Sequence, residues 1–287
     1  MARKVIITVA LTGAFHGKEA NPNLPEQPEE IAQAAYEAYQ AGASIAHIHA
    51  RDKDGVSSND PAIFSEINRR VREKCPIIIQ NSTAPANKPG TVAADGLKVL
   101  EAEYLPEMCS LDCSLIATTW KDRTFIYEWT REFLIDAARR MRDLNIKPEL
   151  EVFNPTSIED IVNYVYPEGV LEDPLSFSFV MGMDRNSQQA MQFSNENLVH
   201  LINKVPQGSH FSALAIGPHQ LPGSVMTMLM GGNIRVGFED NIYFRKGELA
   251  KSNAQLVERV ANFAREFGYE VATPAEARTI LGIPQLK

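Results

Sequence analysis

Two of the chain's six histidines stand two residues apart in "ASIAHIHARDKDG" (43–55), as His47 and His49 with Ile48 between them. In a strand, residues i and i+2 point to the same side, so both imidazoles project together while Ile48 packs the other way. Paired imidazoles at the end of a buried strand make a bidentate grip for a divalent metal. Zinc favours nitrogen donors and takes three protein ligands when a position must stay open for substrate. Two hydrogen-bonded core histidines are the plainer alternative; the end-of-strand position and the Arg51-Asp52 that follows at once favour a metal. A third ligand is on offer in "GGNIRVGFEDN" (231–241), which carries Glu239 and Asp240. Counting by twos puts Arg235, Gly237 and Glu239 on one face, with Asp240 at the turn. The two acids could instead simply begin a helix, but Arg235, a charge inside a strand that should be buried, then goes unexplained.

Eight short apolar runs position these residues: 4–11, 43–50, 76–81, 107–113, 148–153, 175–181, 210–216 and 233–239. Most are β-branched or aromatic, as buried parallel strands are. Between them lie amphipathic stretches. "PEEIAQAAYEAYQAG" (28–42) opens on proline and acids and stops at glycine, the punctuation of a helix. "DPAIFSEINRRVREKC" starts at a capping aspartate, and "LAKSNAQLVERVANFAREFG" shows three-to-four spacing most clearly. Eight strands alternating with helices predict a (β/α)8 TIM barrel built as a single domain. A doubly wound open sheet also alternates, but no GxGxxG follows any strand. The predicted barrel puts the ends of strands two and eight near each other at the active face, with 82–90 as a long loop on that face.

At 287 residues, 44% hydrophobic and 22% charged, the chain has an ordinary globular composition. A formal net charge of −8 argues against nucleic-acid or anionic-membrane binding, which need basic surfaces. Cys75, Cys109 and Cys113 form no disulfide framework and read as core filler in a reducing compartment. "MARKVIITVALTG" reads as a buried first strand rather than a signal peptide, and no run reaches membrane-spanning length. The expectation is a cytoplasmic protein.

The chain resembles the β-keto acid cleavage enzyme family. The resemblance rests on "TGA" (12–14), "NPNLPEQPEE" (21–30), "HIHARDKDG" (47–55), "NST" (81–83), "PEM" (106–108), "PELEVF" (148–153), "FVMG" (179–182), "IRVGFEDN" (234–241) and "SNAQLVERV" (252–260). It implies a zinc-dependent barrel enzyme that converts a β-keto acid and acetyl-CoA to acetoacetate and a new acyl-CoA by a retro-Claisen reaction. By the same resemblance, His47, His49 and Glu239 are zinc ligands, Asp240 is the general base, Arg235 works with it, and Ser82 binds substrate. A homotetramer or dimer is implied as well.

The match breaks after "TGA". A glutamate that binds the substrate's amine in the aminohexanoate-cleaving member is here Phe15. The expected substrate therefore carries an apolar or uncharged side chain. The alternatives are a quaternary ammonium against the ring or another acid, such as Glu19, in place of the missing one. His16 reads as a substrate contact or a surface residue of that loop. Leu115 stands where the family has a threonine, and "GMDRNSQQAMQ" replaces a glycine-rich loop. Glu151 is an acid behind the site or half of an interior ion pair with an arginine. Arg245, Lys246 and Lys251 read as solvated flanks rather than phosphate contacts, and His219 as a loop residue. Rival readings are a zinc aldolase or hydrolase barrel working without coenzyme A, and a metal-binding barrel without catalysis.

Overall fold

The apolar runs become strands because they alternate with helices able to cover them. The computed structural model describes residues 2–120 and 123–286. Eight strands close into a parallel barrel: β1 (Ile7–Ala10), β2 (Ile45–Ile48), β3 (Ile78–Asn81), β4 (Met108–Asp112), β5 (Lys147–Val152), β6 (Ser176–Met181), β7 (His210–Ala215) and β8 (Asn233–Val236). β8 closes on β1 with Arg235 opposite Thr8. The expected barrel is observed.

Around it run α1 (Pro28–Ala41), α2 (Pro61–Lys74), α3 (Ala93–Gly96), α4 (Arg131–Asp143), α5 (Pro155–Asp160), α6 (Asn195–Ile202), α7 (Gln220–Leu229), α8 (Asn253–Glu266) and α9 (Pro274–Leu281). Local chemistry sets their ends. Gly42 terminates α1 at φ +115°, a left-handed conformation that glycine adopts without a Cβ penalty. Asp60 caps α2 by accepting from the Ala62 N–H, and Ser252 caps α8 by accepting from that of Gln255. The helices bury Ile31, Phe64, Leu134, Leu198 and Val257 between themselves and the barrel. Each such side chain contributes roughly 1.5–3 kcal/mol.

Several boundaries differ from the sequence reading. The first run splits: Lys4–Val5 leaves the barrel to pair with Glu270–Val271. Strand two stops at Ile48, and Ala50–Arg51 turns off to pair with Ser57–Ser58. Strand eight stops at Val236, three residues short of Glu239. Beyond β4, Leu115–Trp120 and Arg123–Glu128 form an antiparallel hairpin, joined by Ser187–Gln188, where the sequence reading has no strands. The three cysteines are free and buried, as expected. Among the described residues, no helix is long and apolar enough to cross a membrane.

The barrel's interior is layered. Parallel register carries Gln80 across Met108 to Lys147 and His47 across to Gln80. With a stagger of one residue per strand, as this barrel class has, inward side chains of alternate strands meet at one height. One layer holds Thr8, Gln80, Glu149 and Ser212; the next toward the mouth holds His47, Ser110, Ser178 and Arg235. All eight are buried and polar, so the upper barrel is a desolvated polar chamber under the active face.

Candidate active site

His47 ends β2 and His49 follows it directly. Their rings stand 5.3 Å apart, centre to centre, inclined at 66°. His47 Nε2 is 3.4 Å from Glu239 Oε2, and His49 Nε2 is 3.2 Å from Glu239 Oε1. One ligand atom from each of the three residues lies within 4.8 Å of the others. Burial pushes the pKa of His47 down to about 3, so the ring is neutral at pH 7. Its Nδ1 lies 2.8 Å from the Gln80 carbonyl oxygen. That oxygen only accepts, so the proton sits on Nδ1 and the Nε2 lone pair faces Glu239. Glu239 Oε2 is buried with no hydrogen-bond partner among the described residues. A lone pair facing an orphaned carboxylate oxygen fits a cation between them, and two imidazoles with one carboxylate are a zinc donor set.

Glu239 does not reach this position by strand alternation. Gly237, at φ +148°, ends β8 and breaks the count by twos. A Cβ on Gly237 would stand 2.0 Å from the Ala10 carbonyl oxygen, so only glycine fits. The turn is tied down on every side. The Glu239 N–H donates to the Ala10 carbonyl (3.2 Å), the Phe238 N–H to Asn253 Oδ1 (3.0 Å), and Gln220 Nε2 to the Gly237 carbonyl (2.8 Å).

Arg235 sits beneath, 1% exposed. Its Nε and Nη2 donate to the two oxygens of Asp240, each at 3.1 Å, and its Nη1 donates to Glu151 at 3.1 Å. Nη2 is also 3.1 Å from Glu239 Oε1. Burial works against its charge, but Asp240, Glu239 and Glu151 together hold it charged. Burial also pushes Asp240 up to about 6, partly countered by Arg235. For Glu239 burial is outweighed by His47, His49 and Arg235, which keep its carboxyl below the usual range. Glu151 thus takes the interior ion-pair alternative, with Arg235 as its partner. Asp112 is buried against Glu151, and burial with that carboxylate beside it drives its pKa well above the ordinary value.

The arrangement sets an ionisable acid, oriented by a bidentate guanidinium, beside three side chains that could hold a cation. The sequence profile of the β-keto acid cleavage enzyme family matches residues 4–283. The chain belongs to the β-keto acid cleavage enzyme family. It is similar to the 3-keto-5-aminohexanoate cleavage enzyme of Fusobacterium nucleatum (40% identical, 99% of each chain) and to that of Acetoanaerobium sticklandii (41%, 98% of each). The 3-dehydrocarnitine:acetyl-CoA trimethylamine transferase of Rhizobium meliloti is 32% identical over 97% of this chain and 96% of its own. In fold alone, the solved structure of ObcA with oxaloacetate is similar, at a TM-score of 0.74 and 18% identity, over 91% of this chain and 68% of that one.

The remaining expectations fall around the mouth of this β-keto acid cleavage enzyme. Ser82 follows β3 and is buried; its N–H donates to the Ile48 carbonyl (2.9 Å) and its Oγ accepts from the Ala84 N–H (3.1 Å). Phe15 lines a cavity of about 620 Å³ together with Glu19, Glu26, Arg51 and Phe125. Glu19 and Glu26 accept from the Gly17 and Lys18 N–H groups, at 2.9 and 3.0 Å, so they shape the loop. His16 is exposed, and its carbonyl accepts from Arg51. Leu115 is exposed on the hairpin, His219 stacks on Phe193 in the loop after β7, and Arg245 pairs with Glu248.

Three residues around this machinery take roles that the sequence does not show: Gln80 and Asp112, which it leaves unmarked, and Arg51, which it marks only as following the histidine pair. Gln80 orients His47, yet it reads as one polar residue ending "PIIIQ"; its inward parity was the available signal. Arg51 donates to the Gly13 and His16 carbonyls and so anchors the loop after β1. Asp112 meets Glu151 across β4 and β5, where the two are register partners. Neither contact leaves a mark in local spacing.

Proposed function

We propose that this enzyme converts a β-keto acid and acetyl-CoA to acetoacetate and a new acyl-CoA, with zinc held by His47, His49 and Glu239. The observation that carries the reading is the convergence of these three side chains beside the Arg235–Asp240 pair. The relatives' names support acetyl-CoA as the co-substrate. When bound, zinc supplies a Lewis acid that acidifies the CH₂ between ketone and carboxylate. Asp240 takes that proton. With a pKa of about 6 it is ionised at pH 7 yet more basic than an ordinary carboxylate. Arg235 fixes its orientation and, as a buried cation, stabilises anionic charge developing beside it. The carbanion bonds to the acetyl carbonyl carbon and releases coenzyme A thiolate. The thiolate attacks the original ketone, the C–C bond to the α-carbon breaks, and Asp240 returns its proton to acetoacetate. Ser82, at the mouth between β2 and β3, contacts the substrate.

The Phe15 ring in the cavity wall supports a substrate with an apolar or uncharged side chain, since the nearby carboxylates are engaged by backbone N–H groups. The test is a panel of β-keto acids with acetyl-CoA on zinc-loaded protein, scored for acetoacetate. Straight-chain apolar acids are expected to react faster than 3-keto-5-aminohexanoate. No acetoacetate from any member overturns the reaction, and preference for the amine overturns the side-chain assignment.

A further inference from the structure

The role of His47 depends on which way one amide faces. Its Nδ1 meets the Gln80 oxygen at 2.8 Å, out of contact with solvent. Turned over, the same amide would offer N–H to Nδ1 and move the ring proton to Nε2. There it would bond Glu239 and take a ligand away from the cation site. Whatever selects the amide's orientation must act at its far end.

Glu149 is placed to do so. Gln80 on β3 and Glu149 on β5 occupy the same interior layer, 0% and 4% exposed. Gln80 Nε2 and Glu149 Oε2 are both buried, and neither has a partner at hydrogen-bond distance among the described residues. One is a donor and the other an acceptor, so each offers what the other lacks. The Gln80 amide already favours the charged form of Glu149, against burial and the nearby Glu151. An acceptor on this side favours the orientation in which the amide nitrogen faces it and the oxygen faces His47.

We propose that Glu149 is a positioning residue for the metal site: it fixes the Gln80 amide, which fixes the His47 tautomer and keeps Nε2 free to bind the ion. The consequence for metal binding rests on the zinc reading above; the tautomer itself does not.

The experiment uses full-length protein labelled with ¹⁵N at histidine. Long-range ¹⁵N–¹H spectra of the metal-free wild type are expected to show His47 protonated at Nδ1; protonation at Nε2 overturns the proposal. Glu149→Gln keeps an acceptor and is expected to preserve that tautomer, with zinc affinity by chelator competition within about threefold of wild type. Glu149→Met removes the acceptor at similar bulk. It is expected to mix the tautomers and weaken zinc binding about 10- to 100-fold, the usual effect of losing a group that orients a ligand. Glu149→Ala serves the same purpose should the methionine variant misfold. A pure Nδ1–H tautomer with unchanged zinc affinity in the acceptor-less variant overturns the assignment. A wild type that binds no zinc defeats the metal reading, while the tautomer spectra still decide the role of Glu149.

Discussion

Glu239 lies directly against the backbone of Gly13: a Cβ on Gly13 would stand 2.8 Å from Glu239 Cγ. The loop after β1 and the turn after β8 are thus fitted to each other at one atom. Gly13→Ala must displace the Glu239 side chain or the loop. The expected result is a folded protein whose turnover drops about 100-fold, the scale of a 1 Å misplacement at a reacting centre. Circular dichroism checks the fold, and steady-state kinetics the loss.

Asp240→Asn keeps the size of the side chain and one of the two acceptors of Arg235 but removes the base. The variant should retain zinc by metal analysis and lose about 10²–10⁴ in kcat, the range for deleting a general base. Turnover near the wild-type rate would take Asp240 out of that role.

Arg235 is the shared partner of Asp240, Glu151 and Glu239. Arg235→Met fills much the same space without charge and leaves buried carboxylates uncompensated. Removing one partner of a buried ion pair costs about 3–5 kcal/mol. Urea unfolding at pH 7 should show a loss of that order, and acidification should recover part of it.

Asp112 supplies a pH test. Burial and Glu151 raise its folded pKa above the unfolded value. A group raised in the native state stabilises fully below its unfolded pKa and loses that contribution as pH climbs through the folded one. Asp112→Asn cannot ionise and still offers an N–H to Glu151. Its melting temperature should exceed the wild type's at pH 8, and the gap should close toward pH 4. An identical gap at both values would show that Asp112 binds no extra proton on folding.

Strand periodicity made the barrel legible, and so did the histidine pair, because both are local. The third member of the cluster, Glu239, was legible only by accident of counting. Alternation along strand eight pointed to Glu239, but the chain reaches it through the Gly237 turn, where alternation has ended. The hairpin after β4 went unread because Leu115 and Ile126 are exposed; it lacks the apolar run that marks a buried strand. Gln80, Glu149 and Asp112 stayed hidden for a different reason. Their meaning comes from partners two strands around the barrel or one strand across, and a linear pattern does not carry register.

Closure of β8 on β1 has a consequence for the order of events in synthesis. The imidazoles emerge within the first fifth of the chain, whereas the Glu239 carboxylate that meets them in the fold arrives some 190 residues later. A nascent chain halted before β8 would carry both histidines without the Glu239 carboxylate that stands beside them in the folded barrel. On the zinc reading proposed above, a product truncated there should bind the ion far more weakly than a chain whose β8 has closed on β1.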